Sequence, residues 1–232
     1  MEINVRKSEE RGKTKLGWLD SKHGFSFGKY NNPSNMNFGK LIVFNDDIIS
    51  AGKGFGAHPH ENAEIVTIVL EGSLRHEDSQ GNKGTVNAGE VQRMSAGTGI
   101  WHSEYNNSKE KNLHLLQIWL EPKELNTEPS YEQKFLEIKN NEMNKIISND
   151  KKSKCVYINQ DAEFFLTNLS KGIEINHIIQ QNRNLYLFVI EGVISVDKIN
   201  LAQEDSAEIT NAKKIVIQAK EKSFLLLIEM GK

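Results

Sequence analysis

Apolar positions along this chain cluster in short runs that do not follow a helical period. Residues 41–44, 64–70 and 113–120 are rich in Leu, Ile and Val, and each run is bounded by Gly, Asn, Asp or the pair Glu121-Pro122. Runs of this length and composition predict strands. Gly-bearing turns lie between them: Glu71-Gly72, Gln80-Gly81-Asn82, Asn87-Ala88-Gly89-Glu90 and Ser95-Ala96-Gly97-Thr98-Gly99. The same texture returns over 162–169, 173–179, 185–190, 193–196, 214–217 and 223–230. Short strands at this spacing predict an all-β sandwich or barrel.

Residues 124–152 break the pattern. They are polar, contain Pro129 and carry many Asn, Lys and Glu residues. They read as a surface linker with one short helix around 132–138. The halves on either side carry a brief echo. Leu70-Glu71-Gly72-Ser73-Leu74 resembles Ile190-Glu191-Gly192-Val193-Ile194. Each follows an apolar strand and places Gly where a hairpin turn needs positive φ. Two related β-domains are expected, over 1–125 and 153–232, joined by a linker over 126–152.

Composition changes this picture little. Hydrophobic residues are 38% and charged residues 26% of 232, ordinary values for a chain that buries a core. The 29 basic and 31 acidic side chains leave a net charge of −2. That balance offers no general field for nucleic acid or an anionic membrane. One cysteine, Cys155, excludes an intrachain disulfide and suits a reducing compartment. The first residues lack the apolar stretch of a signal peptide, and no apolar run approaches the roughly 20 residues of a membrane span. A soluble, cytoplasmic protein is expected, with a monomer as the default.

The candidate chemistry lies in the histidines. Of seven, three fall in two tight clusters: Gly56-Ala57-His58-Pro59-His60 and Trp101-His102-Ser103-Glu104. Strand side chains alternate between faces, so His58 and His60 point the same way, as do His102 and Glu104. Pro59 between the first pair fits an edge or a bulge. On neighbouring strands facing inward, the two pairs converge four N and O donors on one point. That set suits one divalent transition-metal ion. A lone His-x-His is usually an ordinary strand feature, and the second pair is what raises the metal reading. His76 and His114 read as ordinary strand histidines. Phe25, Phe27 and Phe44 read as core.

The same residues resemble the cupin barrel, in particular the pirin family. Gly52, His58, His60 and Glu64 fit the first cupin motif, with Gly72 one residue late. Gly99, His102 and Asn106 fit the end of the second. Trp18-Leu19-Asp20-Ser21, Phe25-Ser26-Phe27-Gly28, His58-Pro59-His60, Leu70-Glu71-Gly72, the run from Gln92 to Gly99, and His102-Ser103-Glu104 are similar to the pirin signature. The resemblance is strong over roughly 15–122 and holds in pattern beyond.

It implies a bicupin: two cupin-type β-barrels, of which only the N-terminal one has a metal site. It implies the ligands His58, His60, His102 and Glu104, with Glu64 structural. The second half, with only Glu174 and His177 as candidates, is implied to be degenerate. Fe(II) is the favoured ion, ahead of Ni, Mn, Cu or Zn. The implied activity is that of a quercetin 2,3-dioxygenase: cleavage of a flavonol such as quercetin with O2, releasing carbon monoxide, with Glu104 taking a proton. The expected partners are a small aromatic substrate and O2. His23, in Lys22-His23-Gly24-Phe25, is a candidate substrate contact at the pocket mouth, or a hydrogen-bonded structural residue. The alternative function is a non-enzymatic, redox-sensing metal protein acting through protein partners.

Overall fold

The computed structural model describes residues 1–232. It is almost wholly β, with one 3-10 turn at Ser8–Glu10. The strands, in chain order, are β1 (Glu2–Arg6), β2 (Gly12–Leu16), β3 (Leu19–His23), β4 (Leu41–Ile49), β5 (Gly54–His60), β6 (Glu64–Glu71), β7 (Ser73–Asp78), β8 (Lys83–Asn87), β9 (Glu90–Ser95), β10 (Ile100–Asn106) and β11 (Leu113–Leu120). There follow β12 (Ser130–Phe135), β13 (Asn144–Ser148), β14 (Val156–Tyr157), β15 (Ala162–Leu169), β16 (Glu174–Ile178), β17 (Arg183–Glu191), β18 (Val193–Val196), β19 (Ile199–Ala202), β20 (Ser206–Thr210), β21 (Lys214–Ala219) and β22 (Ser223–Gly231). No helix is long and apolar enough to cross a membrane.

The chain divides into two compact units. One comprises Gly12–Leu136 and Asp150–Gln160; the other comprises Met1–Arg11, Glu137–Asn149 and Asp161–Lys232. These bounds differ from the expected 1–125, 126–152 and 153–232 in three places, each with a physical reason. Strand β1 pairs with β20, because its alternating Ile3 and Val5 pack on the second unit's core. Residues 132–138 contain no helix. There β12 pairs with β9 instead, and Tyr131 OH donates to Gln92 Oε1 at 3.1 Å. Residues 150–160 return to the first unit, where the Asn159 N–H donates to Glu64 Oε2 at 3.0 Å.

In the first unit the large sheet runs β12-β9-β6-β11-β4-β3-β2 and the small sheet β5-β10-β7-β8. Leu19, Ile49, Val69, Leu113 and Leu115 of the large sheet pack with Leu74 and Val86 of the small one. Their burial drives closure of the two layers. One register row of the large sheet departs from this apolar filling. Gly12, His23, Asn45, Gln117, Thr67, Gln92 and Gln133 lie opposite one another across all seven strands. Directly opposed residues share a face, so a polar stripe crosses the interior of this unit.

In the second unit, β1-β20-β17-β22-β15-β13 run side by side, and β16-β21-β18-β19 form the small sheet. Here the filling is mostly apolar: Leu185, Leu187, Val189, Ile194, Val196, Ile215, Ile217, Leu225 and Leu227 are all buried.

The sequence echo marks equivalent corners of the two units. At Gly72 the chain leaves β6 in the large sheet and enters β7 in the small one; Gly192 does the same between β17 and β18. Positive φ is present at both, 84° and 86°, but the bend is a passage between sheets rather than a hairpin. At Gly192 an added Cβ would also collide with the Lys222 carbonyl. Gly192→Ala is therefore expected to cost about 2–3 kcal/mol, combining backbone strain with a clash. Gly172→Ala, at φ 85° with open space around it, should cost only about 1 kcal/mol. Urea midpoints of the two variants check the difference.

Candidate metal centre and its cavity

The first unit's small sheet carries the candidate chemistry. Strand β5 is its edge strand, which lets Pro59 sit in a strand without leaving a ladder partner unmet. Its register with β10 places His58 opposite His102 and Pro59 opposite Trp101. A bulge then intervenes, because Glu104 pairs with Phe55. Gly54, beside Tyr105 in that register, is close enough to β10 that a Cβ would strike the Glu104 backbone.

The three imidazoles converge as the alternation predicts. Ring centroids are 4.4 Å apart for His58–His102, 4.8 Å for His58–His60 and 4.9 Å for His60–His102. Their donor atoms form one triad. A second triad, of His76, His102 and Glu104, shares His102 with it, and within each triad no two donor atoms are more than 4.8 Å apart. The spacing of His102 and Glu104 pointed to one shared face. That His76 joins them was missed, since it had read as an ordinary strand histidine.

The hydrogen bonds around the cluster leave ligating atoms bare. His58 Nδ1–H donates to Gly56 O at 2.7 Å, which directs Nε2 away as a free lone pair. Glu104 is 1% exposed; its Oε2 accepts from Gln117 Nε2 at 2.6 Å, while Oε1 has no partner. His60 Nε2 and both ring nitrogens of His102 are likewise buried without partners. Buried polar atoms normally find partners. The bare atoms of Glu104, His60 and His102, with the free lone pair of His58, are a donor set that fits a borderline divalent ion. Gln117 was also missed by sequence reasoning. The available signal was an uncharged polar residue at the middle of the apolar run 113–120.

Burial sets the electrostatics. It lowers the His102 pKa from the ordinary 6.5 to about 3, helped by His58 and His76. It lowers that of His60 to about 4, helped by His102 and His58. Both rings are therefore neutral at pH 7, as ligation requires. In metal-free protein the unfolded chain binds protons at these sites below about pH 6.5, and the folded chain does not until pH 3–4. Stability should thus fall as pH drops through that window. Metal-free protein should melt lower at about pH 4.5 than at pH 7, and His102→Phe should shrink the difference, as thermal scans would show.

A cavity of about 590 Å3 opens onto the cluster. Leu16, Trp18, Leu19, Phe27, Phe55 and Trp119 make its apolar wall, and His58, His60 and Glu104 lie at its base. Trp119 stands edge-on to His60 at 4.8 Å and to Phe27 at 5.6 Å. Phe27 thus belongs to the cavity, whereas Phe25 and Phe44 are core as expected. His23 also lines the cavity but is 1% exposed. Its Nδ1–H donates to Asn45 Oδ1 and its Nε2 accepts from Thr14 Oγ1, both at 2.8 Å. Both ring nitrogens are engaged, so the ring meets the cavity through its carbon surface.

Glu64 stands apart from the cluster. It is 1% exposed and accepts from Ser95 Oγ at 2.9 Å and from Asn159 N. Burial raises its pKa. In the second unit, Glu174 is exposed. His177 Nε2 lies 3.0 Å from Glu229 Oε2, and Glu229 Oε1 pairs with Arg183 Nε at 2.9 Å. Glu229 thus bridges His177 and Arg183 inside the second unit.

Comparison with known proteins agrees with this geometry. The Pirin family model matches residues 4–120, and the model for the quercetinase C-terminal cupin domain matches 145–230. A quercetin 2,3-dioxygenase of Escherichia coli is 42% identical over 229 residues, 98% of each chain. A relative from Zymomonas mobilis is 40% identical over 220 residues, covering 93% of this chain and 92% of its own. The crystal structure of a bacterial pirin from Escherichia coli in complex with nickel(II) superposes with a TM-score of 0.95, at 41% identity and 99% coverage of both chains. The two β-units are cupin domains, and the chain belongs to the pirin family.

Proposed function

We propose that this chain is a metal-dependent dioxygenase that cleaves a flavonol such as quercetin with O2 and releases carbon monoxide. The observation that carries the reading is the aromatic cavity ending on a cluster of bare N and O donors. Its residues fit one divalent transition-metal ion, held by His58, His60, His102 and Glu104. Fe(II) is favoured by the family resemblance. Nickel(II) is the ion named for the E. coli relative. A bound ion supplies Lewis acidity, lowering the pKa of a hydroxyl that reaches it.

The chain's own groups do the rest. Trp18, Phe27, Phe55 and Trp119 offer flat apolar surface to a polycyclic substrate and displace water from the base of the cavity. His23 adds its ring surface to the same wall. Gln117 holds Glu104 Oε2, which leaves Oε1 to face the substrate and take its hydroxyl proton. A firmly ligating carboxylate is a weak base, so Oε1 serves as ligand and base in turn.

Quercetin-dependent O2 uptake tests the reading. Protein stripped of metal should show none, and protein reloaded with Fe(II) should consume O2. No uptake after reloading with Fe, Ni, Mn or Cu would overturn the enzymatic reading and leave a metal-binding protein.

A further inference from the structure

Behind His102 and Glu104 lies a pair of side chains that the ligand set leaves unused. In the register of β7 with β10, His76 stands opposite Glu104 and Asp78 opposite His102. Both are buried, His76 to 1% exposure. The His76 Nε2–H donates to Asp78 Oδ2 at 3.1 Å. Asp78 is itself fixed. Its Oδ1 accepts the backbone N–H groups of Gln80 and Asn82, both at 3.0 Å, and the Asn82 amide donates to both of its oxygens. Tyr131 stacks on the His76 ring at 4.8 Å.

This clamp leaves His76 Nδ1 without a partner, although it is fully buried. That atom is a bare lone pair, because the ring's proton is on the Asp78 side. Its neighbour in the second donor triad is His102, with ring centroids 5.4 Å apart. His102 has the complementary need. A ligating imidazole uses one nitrogen for the ion and must place the N–H of the other. His58 solves this with Gly56 O, while neither His102 nitrogen has an acceptor.

We propose that His76, clamped by Asp78, is a positioning residue of the metal centre: when an ion orients the His102 ring, His76 Nδ1 accepts the N–H of the His102 nitrogen that does not ligate. An Asp78–His76–His102 chain then sets the tautomer and orientation of the one ligand common to both donor triads. The proposal rests on the metal-binding reading above. It differs from a packing role, which needs only a flat ring against Tyr131.

The test is nickel(II) affinity, by chelator competition, together with the ligand-field absorption bands of the loaded protein. Wild type is compared with His76→Gln and His76→Asn. The Gln amide reaches the position of Nε2 and keeps the Asp78 bond but leaves Nδ1 empty. The shorter Asn amide places an acceptor at Nδ1. His76→Gln is expected to weaken nickel binding by about 10–100-fold and shift the bands. His76→Asn should recover most of both. Unchanged affinity and bands in His76→Gln would overturn the proposal, as would equal losses in the two variants. Should either fail to fold, Asp78→Asn is expected to weaken binding with the same band shift, and wild-type behaviour there would overturn it. Absence of nickel binding by wild type would instead remove the underlying metal reading, a distinct result.

Discussion

His102→Ala is expected to abolish metal binding, lowering nickel(II) or iron(II) affinity by well over about 100-fold, beyond the loss for removing a supporting group. The reason is topological. His102 belongs to both donor triads, and its ring lies 4.4 Å from His58, 4.9 Å from His60 and 5.4 Å from His76. Without it, His58 and His60 remain as a pair on the edge strand. Glu104 and His76 remain as a pair on the strands behind them. Of the four proposed ligands, His58, His60 and Glu104 are left without the ring that joins the two triads. Because His102 is buried and neutral in metal-free protein, the variant should still fold. Equilibrium dialysis with metal analysis reads the affinity, and circular dichroism checks the fold. One tightly bound ion per chain in His102→Ala would show that the ion sits elsewhere.

Glu104→Gln should separate binding from turnover. The three imidazoles stay in place, so much of the metal is retained. The substituted amide can still accept from Gln117 through its oxygen. It then turns an NH2 toward the cluster, which neither ligates nor takes a proton. Flavonol turnover is expected to fall by about 10²–10⁴-fold, the usual worth of a positioned base. Stopped-flow absorbance of the flavonol band, with metal content measured in the same sample, checks both halves. Undiminished turnover with metal bound would remove Glu104 from the proton transfer.

Period-two reasoning went far here because the site is built from strands. The pairs His58/His60 and His102/Glu104 each share a face for the reason that makes the chain extended. The strand runs at 113–120, 162–169 and 193–196 coincide with β11, β15 and β18. Cross-strand register was not legible, and the unread parts of the site depend on it. Gln117 meets Glu104 from the opposite sheet, and His76 meets His102 across a ladder whose alignment no local pattern encodes. Long-range pairing also hid the departure of β1 to the second unit. Ile3 and Val5 alternate correctly for a strand, but nothing in five residues names the partner. The polar stretch 124–152 misled for a related reason. Tyr131 and Gln133 turn inward to buried polar groups, so a strand appears without the apolar face that usually announces one.

Opening of the flavonol ring should depend on one ion held by this cluster. Single-turnover measurement of carbon monoxide tests it most directly, with quercetin and O2 supplied to Fe(II)-reloaded wild type, metal-free wild type and His60→Ala. Carbon monoxide equivalent to the quercetin consumed is expected from the reloaded wild type, and none from the other two. Equal carbon monoxide from the metal-free protein or from His60→Ala would contradict it.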